Sequence, residues 1–338
     1  MSTVIASQVL ANGLRTEFSD TYSAFQNRQS SGKLGALMDT VGATNRQHEF
    51  AYFEAAPHME HWQRGNTIPT DAMGSVQFSV PVYNWARRIP WHKDDRKDDQ
   101  TQSLMQLAQM AGQSAALLEE RMFFDLIQAS TNTLPAVPTA PDGAAMYAGT
   151  AGGAARFGAA NGNILTSSGV ATVHDIQADY WSAIEQFMAF QDGKGQPLLS
   201  SELIDGPVTI IHAAADTEQM EIAFLQKRHA MGLDNTGARG GTVLAAAAET
   251  NLVHDSSRNV TLWGSSRLTT GDWFIFLTGA PKKPTFLLDR EGVQEFTSLE
   301  GDNNGDHTRD TGEEYVQWER RAGAGIAQPF ATIKINTT

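Results

Sequence analysis

The sequence predicts a mixed α+β fold, and three observations carry the prediction. Asp98 to Ser130 runs about thirty residues with no Pro and a single Gly, its apolar side chains at helical spacing. Two aromatic-rich stretches, Glu49 to Trp62 and Gln77 to Trp91, look extended instead. From Thr242 to the end, short β-branched and aromatic runs separated by turn residues replace helical periodicity.

Composition bounds what such a chain can be. With 338 residues it is too large for one simple core, so two lobes with arms is the prior. Apolar content of 41% with no run of eighteen apolar residues predicts a globular chain without a membrane span. Met1 to Leu10 has no basic start and no adequate apolar stretch, so no signal peptide is expected. The absence of cysteine removes disulfides, thiol catalysis and cysteine-based zinc sites together. A net charge of -13 opposes tight binding of nucleic acid through a basic surface.

The elements follow in order. Residues 1–45 are polar, with one helix expected from about Ser7 to Gln26, whose narrow face of Val9, Leu10, Leu14, Phe18 and Phe25 reads as an arm. The two extended stretches flank Arg64 to Pro69, a loop by its Gly, Asn and Pro, and together predict a long two-stranded ribbon. An isolated ribbon is marginal in water, so its edges are expected to rest on a neighbouring molecule. His92 to Asp99 is a charged junction, with Asp98 or Asp99 as helix cap.

In the helix that follows, Leu104, Leu107, Ala108, Ala111, Ala115, Leu118, Met122 and Leu126 form one stripe. A straight helix of this length would run roughly 45 Å, a strut rather than an ordinary core helix. Thr131 to Val170, rich in Ala, Gly, Pro and Thr, shows no usable period and is expected to be an irregular or mobile excursion. A helix from His174 to Gln191, capped by Thr172 or Asp175, should bury Ile176, Tyr180, Ile184, Phe187 and Met188. Pro207 to His212 reads as a buried strand, and Thr217 to Arg228 as a helix with Met220, Phe224 and Leu225 inward. Strands are expected at Thr242–Ala247, Asn259–Trp263, Asp272–Thr278, Thr285–Leu288, Tyr315–Arg321 and Ala331–Ile335. No repeat of the kind that builds solenoids or propellers is visible.

Chemistry-bearing clusters are few. Asp302, Asn304, Asp306, Thr308, Asp310 and Glu313 match the oxygen-ligand spacing of a calcium loop, but the sixth position is His307 where that loop has Gly, and the flanks look like strands. They are read as a solvated turn, with no metal expected. Glu54, His58 and His61 have donor types that suit zinc but lack a fourth ligand and a His-Glu-x-x-His pattern. Gly237 to Gly241 lacks the Lys-Ser/Thr of a phosphate loop, and no Gly-x-Ser-x-Gly elbow raises a nucleophile. A soluble hydrolase built on Asp302–Glu313 or on His58 and His61 therefore ranks last, and neither an enzyme nor a cofactor is expected.

The succession of arm, ribbon, strut helix, helix-and-strand lobe and strand-rich return, ending in the run Val316 to Ile333, resembles the major capsid proteins of tailed bacteriophages, the Hong Kong 97-type fold, and within them the Mu-like major head subunits. The likeness is clearest over 49–130 and from 259 onward. It implies an N-terminal arm at 1–48 and an extended β-hairpin loop at 49–92 that lies on an adjacent subunit. It further implies a peripheral domain at 93–190 with the spine helix at 98–130 and the excursion at 131–170, an axial domain at 191–258, and a strand-rich return at 259–338. The function implied is a virion shell protein, made in the host cytoplasm, that assembles as pentamers and hexamers around double-stranded DNA without reading its sequence. Portal, scaffold or protease, and decoration proteins are the implied partners, and no membrane is involved. An encapsulin-like cellular shell of the same fold is the alternative.

A closed shell needs one subunit to make many neighbour contacts, which overlapping arms supply without a rigid interface. Trp62, Arg64, Trp85, Arg87, Arg88 and Trp91 are the side chains expected to anchor contacts between subunits, since Trp and Arg dominate such contacts. Packing of the Trp rings in the subunit's own core is the competing reading. Some members of the fold weld subunits through a Lys on the extended loop, and no Lys lies between Gly42 and Arg88.

Overall fold

The computed structural model describes residues 2–30, 32–53, 61, 75–92, 103–167, 169–170, 172–226, 228–230, 248–250, 259–268, 271–280, 282–298 and 311–336. The expected elements at Thr242–Ala247 and Gly237–Gly241 lie outside these residues, as do the charged run after His92 and the cap at Asp98 or Asp99.

Helix α1 (Ser2–Ser30) is longer than its sequence signal and is no free arm. It runs parallel to α3 (Ser103–Ala116) and α4 (Leu118–Gln128), with Gln109 bonded to Glu17 at 2.8 Å and Gln26 and Gln29 reaching Glu119 and Glu120 at 3.5 Å. Its apolar Ala11, Leu14 and Phe18 are buried there with Leu104 and Ala108, so the narrow face that looked uncovered in sequence has a partner ninety residues away. Gly112 makes the approach possible: a methyl at this position would stand 2.7 Å from the Phe18 carbonyl oxygen.

The expected strut is two helices. At Leu117 the backbone (φ -70°, ψ -4°) bends while the hydrogen-bond ladder continues through Leu117 N–H to Gln113 and Arg121 N–H to Leu117, both 3.0 Å. The buried stripe of α3 is Leu104, Ala108, Gly112 and Ala116, strict steps of four, and Leu107 lies outside it, 45% exposed. Ala129, left-handed at φ 51°, ends α4, as a C-terminal cap does.

Short α2 (Lys33–Leu37) leads into β1 (Met38–Gly42). Among the described residues the ribbon is β2 (Gln47–Phe53) paired antiparallel with β3 (Ser75–Pro81), and its base rests on this subunit's own body through Phe50, Phe78 and Val80 against Phe286 and Leu288. The second half of the extended stretch leaves the ribbon as β4 (Tyr83–His92), the edge strand of a four-stranded sheet. Pro90 is tolerated at such an edge. The sheet order is β1-β13-β14-β4, with β13 (Thr285–Ser298) and β14 (Glu313–Ile326) both fourteen residues long.

The excursion at 131–170 is irregular but anchored. It holds the small hairpin β5 (Thr150–Ala151) and β6 (Ala154–Ala155), then β7 (Ile164–Thr166). Arg156, its side chain 1% exposed, forks onto Asp142 at 2.7 and 3.0 Å and donates to the carbonyls of Ala145 and Met146. Buried Asn163 donates to the carbonyls of Met146 and Pro329. The Asp125 carboxylate accepts from Ser130, Thr133 and Leu134. A buried charge is tolerable only when so satisfied, and the network holds a segment that apolar patterning could not explain.

A five-stranded sheet, order β11-β8-β12-β15-β7, forms the second lobe, from β7 with β8 (Val208–Ala213), β11 (Val260–Ser265), β12 (Trp273–Leu277) and β15 (Thr332–Asn336). Its central strands are buried on both faces, which is why they read as continuous apolar runs. Trp273, Ile275 and Leu277 face α5 (Val173–Ala189), α6 (Ser201–Ile204) and α7 (Thr217–Phe224), while Phe274 and Phe276 face α4 and β14. Helix α5 is capped by Thr172, whose hydroxyl accepts from Asp175 N–H, and it buries Ile176, Tyr180, Ile184 and Phe187; Met188 is 54% exposed. Helix α7 ends at Phe224, so Leu225 also turns outward. Because α5 shares a core with β8, packing joins residues 173–189 to the lobe that the sequence partition began at 191. A last pair, β9 (Arg228–Ala230) and β10 (Ala248–Thr250), is antiparallel.

Candidate intersubunit surface

Strand alternation sorts the predicted contact residues onto two faces. In β14, Glu314, Val316, Trp318 and Arg320 are buried toward α1 and α3, and each stands opposite an odd-numbered residue of β4: Trp91, Ile89, Arg87 and Trp85. Arg88 therefore lies on the other face of the sheet, where its guanidinium sits 4.1 Å from the Tyr315 ring centroid and bonds Gln317 at 2.8 Å.

The two Trp residues of β4 are engaged within their own subunit. Trp91 is 5% exposed and donates its indole N–H to the buried Glu314 carboxylate at 2.8 Å. Trp85 is half-buried, donates to the Ala322 carbonyl at 2.9 Å and packs beside Tyr83. Both rings thus make contacts within this subunit, as the competing reading of the sequence has it for the Trp residues, and Trp85 keeps part of its surface exposed. Arg87 and Arg88 remain exposed, and Trp62 and Arg64 lie outside the described residues.

Between the helix-facing side of β4 and the outer face of α3 lies an open groove of about 660 Å³. Phe18 stacks on Trp318 at 4.3 Å at the groove, Leu107 and Met110 line its helix side, and Arg87 and Arg121 lie along it. Met110 is 65% exposed. Reading the strut as one stripe concealed this surface: with burial fixed on 104, 108, 112 and 116, residues 107, 110, 114 and 121 make a second face. Its spacing was visible in the sequence, its emptiness was not.

Beside the groove, Arg320 is held by two carboxylates, its Nη2 2.7 Å from Glu119 and 3.3 Å from Asp289. Burial alone would lower its pKa, and the charges of Glu119, Tyr22 and Asp289 outweigh that, so the guanidinium stays firmly protonated. Burial also pushes the Tyr22 hydroxyl up, partly opposed by Arg320. Nearby positive charge that is neutralised in this way does not add to the groove; Arg87 and Arg121 do, because neither has a carboxylate partner among the described residues.

Most of the metal candidates fall outside the described residues. Asp302, Asn304, Asp306, Thr308 and Asp310 lie outside the described residues, Glu313 opens β14, and Glu54 and His58 are likewise outside while His61 is exposed. Among the described residues no group of three or more His, Asp or Glu could hold a metal ion, and no helix is long and apolar enough to cross a membrane.

Comparison with known proteins follows the same lines. A sequence model of the phage capsid protein family matches residues 76–335, and one of the Mu-like prophage major head subunit gpT matches residues 8–137. No curated protein matches the sequence. Among solved structures, the capsid of Myoviridae phage XM1 superposes with a TM-score of 0.54 at 10% identity, covering 90% of this chain and 91% of that one. The mature capsid of bacteriophage PhiM1 gives 0.53 at 9% identity, covering 90% and 86%. A virus-like particle from Pyrococcus furiosus gives 0.50 at 9% identity, covering 96% and 98%. At such identities these likenesses establish the Hong Kong 97-type fold alone; the family match is what disfavours the encapsulin-like alternative. The family match over residues 76–335, with the head-subunit match over residues 8–137, leads to one assignment: this chain belongs to the phage capsid protein family and is a major head protein of the tailed-phage kind.

Proposed function

We propose that copies of this chain assemble as pentamers and hexamers into an icosahedral shell that encloses double-stranded DNA without reading its sequence. The observation that carries the reading is the family match over residues 76–335, which includes both sheets' long strands and the spine. The net charge of -13 supports enclosure over binding, since phosphate recognition needs a basic face. The role is structural, the product belongs in the virion, and assembly takes place in the host cytoplasm. Portal, scaffold or protease, and decoration proteins are the partners such a shell requires.

In this reading the lobe built on the four-stranded sheet with α1, α3 and α4 is the peripheral domain, and the five-stranded lobe carries the axial domain. The loop between β2 and β3 overlaps an adjacent subunit, with Arg64 and Trp62 as contacts and Arg87 and Arg88 at its root. The test is electron microscopy of the purified recombinant chain beside a variant lacking Arg64 to Met73. Closed particles from the parent, and a folded but poorly assembling deletion, are expected. A parent that stays a monodisperse monomer overturns the reading.

A further inference from the structure

We propose that Met110 is a redox-sensitive modification site: a hydroperoxide converts its thioether to the sulfoxide in the unassembled chain, and a copy so marked no longer assembles. The proposal rests on the assembly reading above and adds to it a side chain and a chemistry. The chain has 11 methionines and no cysteine, so a mild two-electron oxidant meets thioethers and no thiol. Burial sorts the methionines that the structure describes. Met38, Met122, Met146 and Met220 are 7% exposed or less, and Met105 packs against α1 at Gly13. Met110 and Met188 stand out at 65% and 54%.

These two differ in their surroundings. Met188 lies on the outer face of α5, one turn from the exposed Glu185. Met110 lines the groove of about 660 Å³ together with Leu107, and the same lining carries Arg87 and Arg121, with Glu319 as its one carboxylate. In the oxidation the sulfur lone pair attacks one peroxide oxygen, the O–O bond breaks and an S–O bond forms. The other oxygen leaves with a proton as water or an alcohol, so sulfur loses two electrons and the peroxide gains them. The product oxygen is a hydrogen-bond acceptor, to which guanidinium groups on the same lining are matched as donors. A soft, adaptable apolar side chain thereby becomes polar and chiral. Any contact that closes over this face then has to desolvate an oxygen where it had covered a thioether, which opposes closure.

The test uses the full unassembled chain, dilute hydrogen peroxide and peptide mass spectrometry. Met110 and Met188 are expected to oxidise about tenfold or more faster than Met38, Met122, Met146 and Met220. After removal of the peroxide, particle yield from the parent should fall about tenfold, the effect of one polar group placed in a closing apolar contact. Met110→Leu, a volume-conserving change, should keep its untreated yield after the same exposure, whereas Met188→Leu should lose yield as the parent does. Met110→Gln supplies a polar end without any oxidant; it should assemble poorly while its unassembled subunit keeps the parent's circular dichroism and unfolding midpoint. Oxidation of Met110 no faster than that of the buried methionines, parent-like yields from Met110→Gln, or a Met110→Leu variant as peroxide-sensitive as the parent each overturn the proposal. Absence of particles from the untreated parent overturns the assembly reading beneath it, which is a different result.

Discussion

Single side chains show how the chain handles polar groups inside two apolar lobes. Arg156 bonds Asp142 and Asn163 and nearby backbone, Asp125 accepts from Ser130 and the Thr133 and Leu134 backbone, and Glu314 accepts a hydrogen bond from an indole. Replacing Trp91 with Phe keeps most of the ring's packing but removes the donor to a buried carboxylate. Bonds to charged groups contribute about 1.5–3 kcal/mol, so Trp91→Phe should lower the stability of the unassembled subunit by that order in denaturant titration. An unchanged midpoint would mean that the indole bond adds nothing. His212 gives a pH signature. Burial lowers its pKa, with Lys33 acting in the same sense, while the Ala213 carbonyl, Asp216 and Glu221 oppose it. Below about pH 6.5 the unfolded imidazole takes up a proton that the folded one refuses, so the unfolded state binds more protons and stability falls as the pH drops. His212→Gln removes that contribution, and the gap between parent and variant unfolding midpoints should shift in the variant's favour from ~pH 7 to ~pH 5. Parallel curves would show that His212 titrates alike in both states.

At the scale of elements, local pattern located what local physics controls. The helix over 173–189, its Thr172 cap and the buried strand 208–213 were legible because cap, period and burial agree within one segment. Strand β13 was not: Thr285 to Leu288 is largely apolar, but the ten residues after it are mostly polar and include Gly292, and they stay in the sheet through register shifts around Glu291 that sequence does not announce. Helix α1 had a visible face and an invisible partner, because the α3 surface that covers it lies some ninety residues away. Gly112 is where those two facts meet. Helix propensity alone favours Gly112→Ala by about 1 kcal/mol. The added methyl would press on the Phe18 carbonyl, which is backbone and cannot swing aside, and overpacking of this kind costs about 1–3 kcal/mol. Packing should prevail, so Gly112→Ala is expected to destabilise the subunit in denaturant titration and to raise amide exchange along α1. A more stable variant would show that α1 can retreat without loss.

For the whole molecule, the question is whether the two lobes behave as one body, as a shell subunit under load must. The contact between them is apolar and continuous: Phe123 of α4 lies against Phe276 of the five-stranded sheet at 5.9 Å and stacks on Trp263 at 5.8 Å, while Leu287, Ala322 and Ala324 close the same core from the four-stranded sheet. None of this was readable in the sequence, where residues 123, 276 and 322 belong to three separate segments and only their apolar character is evident. An interface made of core side chains couples the stabilities of what it joins, whereas a polar, hydrated one leaves domains free to open separately. Phe123 is fully buried, so Phe123→Ala should cost about 3–5 kcal/mol. The informative readout is where that loss appears. Hydrogen exchange on the unassembled variant should show β8 in one lobe and β14 in the other losing protection together and by the same amount. Loss confined to one sheet would mean that the lobes unfold independently, and that rigidity in the shell has to come from neighbouring copies.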